Sequence, residues 1–113
     1  MIYVTTPDVS GLTADEYRKV LDEAGVEVHP AANIYLHLTS EIPGGFRILE
    51  IWDSQEAFRD FLKERFGPAH RALKLNRKMS ITVTPLHNCF GPRIQELLET
   101  VATPPGSLNH QLV

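Results

Sequence analysis

The sequence has little cysteine, and this scarcity excludes several kinds of site. Cys89 is the single cysteine among 113 residues. An internal disulfide is therefore impossible, and no CxxC pair can bind a metal or exchange disulfides. We interpret Cys89 as a small buried hydrophobic residue. The histidines also lack the i, i+4 helical spacing of a metalloprotease site, so we expect no metal.

Basic charge and long apolar runs are also scarce. The chain has 11 basic and 14 acidic residues, a formal net charge of −3, and no basic cluster of the kind that contacts phosphates, so no nucleic-acid partner is expected. No stretch approaches the 18 apolar residues of a membrane span, and the first residues lack the pattern of a signal peptide. We expect no membrane contact and a cytoplasmic location.

The length and composition are those of a single globular domain. The chain is 42% hydrophobic and 22% charged, which is typical of a folded protein with a core. We assign residues 1–102 to this domain. Residues 103–113 contain two prolines and a glycine without an apolar period, which predicts an extended or mobile C-terminal tail.

The first half of the domain reads as a strand, a helix and a hairpin. Residues 2–6 form a β-branched and aromatic strand that we expect to end at Pro7. Thr13 and Glu16 make a capping box that starts a helix, and Gly25 ends it. Alternating residues 33–39 and 46–52 flank a Pro-Gly-Gly turn, which predicts a β-hairpin.

The second half adds a helix, a strand and a further helix. We expect Asp53 to cap a helix with Glu56 three residues later, and Gly67 with Pro68 to end or kink it. Residues 80–86 are the last strand, and an amphipathic helix follows Gly91 and Pro92. The order βαββαβ predicts an α+β ferredoxin-like fold, with two helices on one face of a four-stranded antiparallel sheet and an extra C-terminal helix.

The two strand parities differ in polarity. One set is uniformly apolar: Ile2, Val4, Ile34, Leu36, Leu38, Leu49, Ile51, Ile81 and Val83. The other is mixed: Tyr3, Thr5, Tyr35, His37, Glu50, Trp52, Thr82 and Thr84. Because helices cover only one sheet face, the second face would be an unusually large exposed patch, so we expect a homodimer in which two sheets pack together. We expect the mixed set to line any pocket.

The mixed set supplies most of the candidate site residues. His37 can act as acid or base near neutral pH, or it can be a structural histidine hydrogen-bonded to a neighbour. Glu50 can simply be its structural partner across the hairpin. Trp52 and Tyr35 would be aromatic walls for a ligand, although a tryptophan beside a helix start is often structural.

Two further histidines lie at element ends. His70 follows the Gly-Pro break and faces either a pocket mouth or water. His87 ends the last strand, where it either contacts a ligand or caps the turn. We therefore name His37 and His70 as candidate catalytic residues, and Tyr35, Glu50, Trp52 and His87 as candidate ligand-binding residues.

Three segments resemble a known superfamily over about residues 1–90. They are WDSQEAF at 52–58, GPAH at 67–70, and the His87–Asn88 pair. The chain resembles small bacterial proteins of the dimeric α/β-barrel superfamily, which are relatives of the antibiotic-biosynthesis monooxygenases. The resemblance implies a ferredoxin-like homodimer with pockets between sheet and helices. The haem-degrading branch uses an asparagine, a tryptophan and a histidine, of which only His70 matches here.

Two functions from different classes follow from this resemblance. The first is a cofactor-independent monooxygenase that binds an aromatic or polyketide-like substrate, with His37 or His70 as the base that deprotonates it. No cofactor is expected in that case. The alternative is a non-catalytic ligand-binding or stress-related module with structural histidines.

Overall fold

The computed structural model, which describes residues 1–101, contains one four-stranded antiparallel sheet. The strands are β1 (Tyr3–Ser10), β2 (Ile34–Ile42), β3 (Gly45–Trp52) and β4 (Met79–Pro85), in the spatial order β2-β3-β1-β4. The helices are α1 (Ala14–Ala24), α2 (Gln55–Phe61), α3 (Gly67–Ala72) and α4 (Ile94–Val101). This is the predicted ferredoxin-like α+β fold with an additional C-terminal helix. The predicted tail, 103–113, lies outside the described residues.

Helix α1 begins and ends where the sequence predicts. The Thr13 hydroxyl accepts from the backbone N–H of Glu16 at 3.2 Å, and the Glu16 carboxylate accepts from the backbone N–H of Thr13 at 3.1 Å. This capping box satisfies two N–H groups that a helix start leaves unpaired. At the other end Gly25 adopts φ +67°, and its N–H donates to the carbonyl of Leu21, as in an αL cap.

Strand β1 is longer than predicted because the chain stays extended through Pro7. The strand continues to Ser10 in the centre of the sheet. Its pairing with β3 covers Tyr3–Thr5 and then resumes at Asp8, while its pairing with β4 runs without a break from Tyr3 to Val9. A proline cannot donate to a ladder, which fits the interruption on the β3 side alone. The predicted end of the strand at Pro7 is wrong.

The hairpin of β2 and β3 forms across Pro43 and Gly44, and it contains one irregularity. Gly44 adopts φ +81° and Ile42 pairs with Gly45. The register is regular from Leu36 to Ile42 and shifts between Ile34 and Leu36. A bulge of this kind leaves one residue without a cross-strand partner. That residue is Tyr35, so its side chain does not follow the alternation of its neighbours.

A continuous helical path crosses the sheet after β3. Ser54, not the predicted Asp53, caps α2, and its hydroxyl accepts from the N–H of Ala57 at 3.1 Å. A π-helical turn, Leu62–Phe66, joins α2 to α3, and the N–H of Gly67 donates to the carbonyl of Leu62. Pro68 lacks an N–H, which favours such a break in the regular ladder. It then occupies the first turn of α3, as predicted.

The core lies between the sheet and the helices. Its buried cluster contains Val9, Leu12, Val20, Phe46, Ile48, Phe66 and Ala69. Leu12 lies in the connection between β1 and α1, and the other residues come from β1, β3, α1, the π-helical turn and α3, so the sheet and the helices share one core. Trp52 is fully buried next to this cluster, where its ring packs against Phe58 and Phe61 at centroid distances of 5.7 and 5.4 Å.

The register determines which residues face the helices, and it corrects the predicted faces in β4. Thr5 pairs with both Glu50 and Val83. Because directly paired residues share a sheet face, Ile81 and Val83 lie on the helix-covered face, and Thr82 and Thr84 lie on the open face. This is the reverse of the prediction for that strand. The bulge likewise places Ile34, the partner of Trp52, on the covered face.

The open face of the sheet carries an apolar patch on three adjacent strands. Its members are Val4, Leu36, Leu38, Leu49 and Ile51. Leu38 is 43% exposed, whereas Ile51 is buried among its neighbours. Helix α4 shows a further set of exposed apolar side chains, namely Ile94, Leu97 and Leu98. Both surfaces expose apolar side chains to solvent in the single chain.

Candidate active site

Four polar side chains form one hydrogen-bonded chain on the helix-covered face. His37 Nδ1 lies 2.7 Å from Glu50 Oε2, and His37 Nε2 lies 2.7 Å from the Tyr17 hydroxyl. The indole N–H of Trp52 donates to Glu50 Oε1 at 3.3 Å. We call Tyr17, His37, Glu50 and Trp52 the tetrad. It connects α1 to the two strands of the hairpin.

Strand geometry explains why three of these residues meet. His37 and Glu50 are direct cross-strand partners on β2 and β3, so their side chains leave the sheet on the same side. Glu50 and Trp52 are two residues apart on β3, which also places them on one face. The structure therefore brings together His37, Glu50 and Trp52, all of which the sequence identifies as candidates.

Glu50 is the buried centre of the tetrad. It is 4% exposed, and an isolated carboxylate at such depth would be costly unless hydrogen bonds satisfied its oxygens. Each oxygen accepts one hydrogen bond, from His37 and from Trp52 respectively. The His37 side chain is 28% exposed, so part of the imidazole faces solvent while the carboxylate behind it does not.

Tyr17 is the member that the sequence did not identify as functional. Its position in the apolar stripe of α1 predicts only a core residue. Its ring does pack in the core, stacking on Phe46 at a centroid distance of 5.6 Å and on His37 at 6.1 Å. Burial raises the pKa of the Tyr17 phenol, and smaller effects that include a hydrogen bond with Thr39 lower it. No spacing rule links a helix residue to a strand residue twenty positions later.

His70 lies in the same layer, linked to the tetrad through aromatic rings. Its ring packs on Phe66 at 4.4 Å, Phe66 packs on Phe61, and Phe61 packs on Trp52. Nε2 of His70 is buried without a hydrogen-bond partner. Burial lowers the pKa of His70, and the nearby charge of Glu16 opposes this effect. The structure thus places His70 beside the core, without a direct bond to the tetrad.

The remaining predicted site residues lie elsewhere. Tyr35, at the bulge, is 63% exposed. His87 is exposed beyond the end of β4, and β4 and β2 occupy opposite edges of the sheet. The structure therefore does not gather Tyr35 and His87 with the tetrad. Cys89 is exposed, which makes the expectation of a buried thiol wrong.

Thr5 adds a polar group to the floor of the site. It is fully buried, it pairs with Glu50 across β1 and β3, and its hydroxyl has no hydrogen-bond partner. A buried polar group without a partner is uncommon in folded proteins. The helix-covered face next to Glu50 is therefore more polar than an ordinary core.

Other features of the described residues give no second site of comparable definition. A shallow depression of about 310 Å³ between α1, the π-helical turn and α3 is lined by Glu23, Ala24, Glu64, Arg65, Pro68, Ala69 and Ala72, and it shares no residue with the tetrad. Within residues 1–101, no group of three or more His, Cys, Asp or Glu side chains converges as metal ligands do. No helix in this range is long and apolar enough to cross a membrane.

Comparison with solved structures identifies proteins of the same fold. A protein from Chloroflexus aurantiacus, provisionally named an antibiotic biosynthesis monooxygenase, matches with a TM-score of 0.61 and 16% identity over 80% of this chain and 98% of that one. A Deinococcus radiodurans protein with the same provisional name matches with a TM-score of 0.58 and 26% identity over 80% and 97%. SnoaB, a cofactor-independent oxygenase from Streptomyces nogalater, matches with a TM-score of 0.56 and 13% identity over 78% and 94%.

Models of protein families and curated proteins give no match to the sequence. The structural matches nevertheless cover nearly the whole of each matched chain. They confirm that this chain has the fold of the antibiotic biosynthesis monooxygenase-like proteins in the dimeric α/β-barrel superfamily, as the three sequence segments imply.

Proposed function

We propose that this chain, with the fold of the antibiotic biosynthesis monooxygenase-like proteins, is a homodimeric enzyme that oxidises an aromatic or polyketide-like molecule without a cofactor. The observation that carries the proposal is the buried Glu50 carboxylate behind the half-buried imidazole of His37. The fold similarity to a cofactor-independent oxygenase supports the reaction class.

His37 takes the role of base in this reaction. Glu50 accepts from Nδ1 at 2.7 Å, which orients the ring and stabilises the imidazolium that forms when a proton arrives at Nε2. The deprotonated substrate then supplies electrons directly to O₂. One oxygen atom enters the oxidised product and the other leaves as water, so the substrate is the only reductant needed.

A homodimer completes the proposal. Association through the open sheet face would bury the apolar patch of Val4, Leu36, Leu38, Leu49 and Ile51. The tetrad is on the opposite, helix-covered face, so dimer formation leaves it accessible to small molecules. His70 is the second candidate base, but its partnerless Nε2 is buried against the core and has no carboxylate bonded to the ring.

A non-catalytic ligand-binding module is the alternative. The hydrogen bonding within the tetrad favours this alternative. Its three hydrogen bonds already give each nitrogen of His37 and each oxygen of Glu50 a partner. Such a network also serves to specify a unique packing of α1 on the hairpin. Turnover of a suitable substrate separates the two functions.

The test uses dithranol, a hydroxylated anthrone that O₂ oxidises to a quinone, with the full chain as catalyst. We expect O₂ consumption above the spontaneous rate, and a loss of about 10²-fold or more in the His37→Gln variant. The exposed His29 provides the matched control, since His29→Gln should keep the full rate. Native mass spectrometry of the same preparation should show a dimer.

Two outcomes would count against the enzyme. A His37→Gln variant as fast as the His29→Gln control would remove His37 as the base. A wild-type protein that binds dithranol without accelerating its oxidation would favour the binding module. A monomer at micromolar concentration would show that the open sheet face is not a dimer interface.

A further inference from the structure

We infer that Tyr17 is the group that contacts the ligand, and that its oxygen accepts a hydrogen bond from it, so that the site selects molecules with an O–H or N–H at the reacting position. This inference rests on the proposed function, because it assigns a residue and a ligand chemistry to the same site. It follows from the direction of the hydrogen bonds within the tetrad.

Glu50 determines which atoms of the tetrad donate hydrogen bonds and which accept them. An indole can only donate a hydrogen bond, and an ionised carboxylate can only accept. Trp52 therefore donates to Oε1, and Oε2 receives the Nδ1–H of His37. With the proton on Nδ1, the neutral ring has its lone pair on Nε2.

The same direction continues to Tyr17. Its hydroxyl lies 2.7 Å from the Nε2 of His37, which is an acceptor in this tautomer, so the phenol uses its one proton there. The phenolic oxygen then retains only acceptor capacity. A ligand that joins the chain at this oxygen must therefore donate the hydrogen bond.

The Tyr17 ring is held in place for this role. It lies nearly parallel to the rings of Phe46 and His37, at an interplanar angle of 8° to each, so a rotation of the Tyr17 ring would disturb both contacts. The surrounding groups keep the phenol protonated at rest, because burial raises its pKa. Tyr17 is thus suited to pass a proton on to His37.

Proton transfer through the chain is balanced. The ligand O–H bond breaks and its proton moves to the Tyr17 oxygen, while the original phenol proton moves to Nε2 of His37. The products are a ligand oxyanion, a neutral Tyr17 and an imidazolium paired with the Glu50 carboxylate. No oxidant or reductant is required for this step, and the same transfer from an N–H would leave an anionic nitrogen.

The inference can be tested with two probes that differ in one proton donor. 4-Nitrophenol has a hydroxyl and reports its ionisation by absorbance, whereas 4-nitroanisole has the same ring with a methyl ether. At a pH below the pKa of the free probe, we expect the full chain to bind 4-nitrophenol at least about tenfold more tightly than 4-nitroanisole and to increase its phenolate absorbance on binding. In Tyr17→Phe, affinity should fall to that of 4-nitroanisole, and the increase in phenolate absorbance should be lost.

Nitrogen-15 NMR of the histidine side chains provides an independent measurement on the free protein. We expect His37 to be protonated at Nδ1 and unprotonated at Nε2. The opposite tautomer would overturn the inference. Equal affinity for the two probes would overturn the inference about Tyr17, and so would a loss of the phenolate signal in Tyr35→Phe but not in Tyr17→Phe. Either result would still leave a site that binds small aromatic molecules. Failure of both probes to bind would overturn the proposed function together with the inference.

Discussion

His37 Nδ1 and Glu50 Oε2 lie 2.7 Å apart across the β2–β3 ladder, with the carboxylate 4% exposed. The His37 side chain of this pair is partly exposed to solvent, whereas the Glu50 side chain is buried. Cross-strand pairing fixes their separation through the backbone. The pairing of β2 with β3 therefore holds the candidate base next to the carboxylate.

Replacing Glu50 by glutamine should destabilise the protein. The amide has one oxygen and one NH₂ group, so it cannot accept from both His37 and Trp52 as the carboxylate does. We expect the free energy of unfolding to fall by about 2 kcal/mol, measured by urea denaturation. Glu56→Gln, at an exposed site on α2, is the control. Equal stability of the two variants would show that the Glu50 carboxylate is not held by these bonds.

Stability should depend on pH through His70. Its pKa in the folded protein is below the ordinary value of 6.5, mainly because it is buried. Well above pH 6.5 the His70 ring is neutral in both the folded and the unfolded protein, and it contributes no pH dependence. As the pH falls through 6.5, the unfolded chain binds a proton at His70 while the folded protein does not. The free energy of unfolding therefore decreases until the pH reaches the pKa of the folded protein.

Thermal unfolding of wild type and His70→Gln between about pH 7.5 and about pH 5 measures this contribution. The wild-type melting temperature should fall more steeply with decreasing pH than that of the variant. His29→Gln, at an exposed position, should retain the wild-type slope. Parallel curves for wild type and His70→Gln would mean that His70 titrates alike in both states.

Gly44 and Gly45 should respond very differently to alanine. A Cβ at Gly45 would lie 2.2 Å from the carbonyl oxygen of Val9, whereas nothing lies within 4 Å of one at Gly44. Gly44→Ala should lower the free energy of unfolding by about 1 kcal/mol, because alanine is strained in the left-handed conformation of this residue. Gly45→Ala should lower it by more than about 3 kcal/mol. Urea denaturation compares them. Similar losses would mean that β1 does not approach the hairpin as closely as described.

Replacing Thr5 by valine should leave stability unchanged or raise it by up to about 1 kcal/mol. The substitution keeps the shape and removes a buried hydroxyl that has no hydrogen-bond partner. Thr82→Val, at an exposed site on β4, measures the effect of the same change in a strand. A clear loss of stability in Thr5→Val alone would show that the hydroxyl is satisfied in the folded protein.

The sequence was sufficient for the fold and for part of the candidate site. Period-2 and period-3.6 patterns, with caps at Thr13 and Gly25, predict the order of elements because these signals are local. His37, Glu50 and Trp52 could be grouped because a short hairpin turn determines the register of its strands. Each of these inferences needs only residues that are near in sequence.

The sequence predictions are wrong where a β-bulge or a contact between distant parts of the chain determines the direction of a side chain. A bulge before Leu36 removes Tyr35 from the alternation. The register of β4 depends on β1, more than seventy residues earlier, and no local pattern records it. Tyr17 has the spacing of a core residue, and its hydroxyl meets His37 only because α1 packs against the hairpin.

The central position of β1 has a consequence for synthesis on the ribosome. Among the strands of residues 1–101, β1 is made before the others, and one of its two partners, β4, is made after them. Until β4 emerges, β1 has an unpaired edge that another chain could join. The interruption at Pro7 lies on the β3 side, so it does not protect that edge. A nascent chain stalled before Met79 should therefore be the form most prone to aggregation.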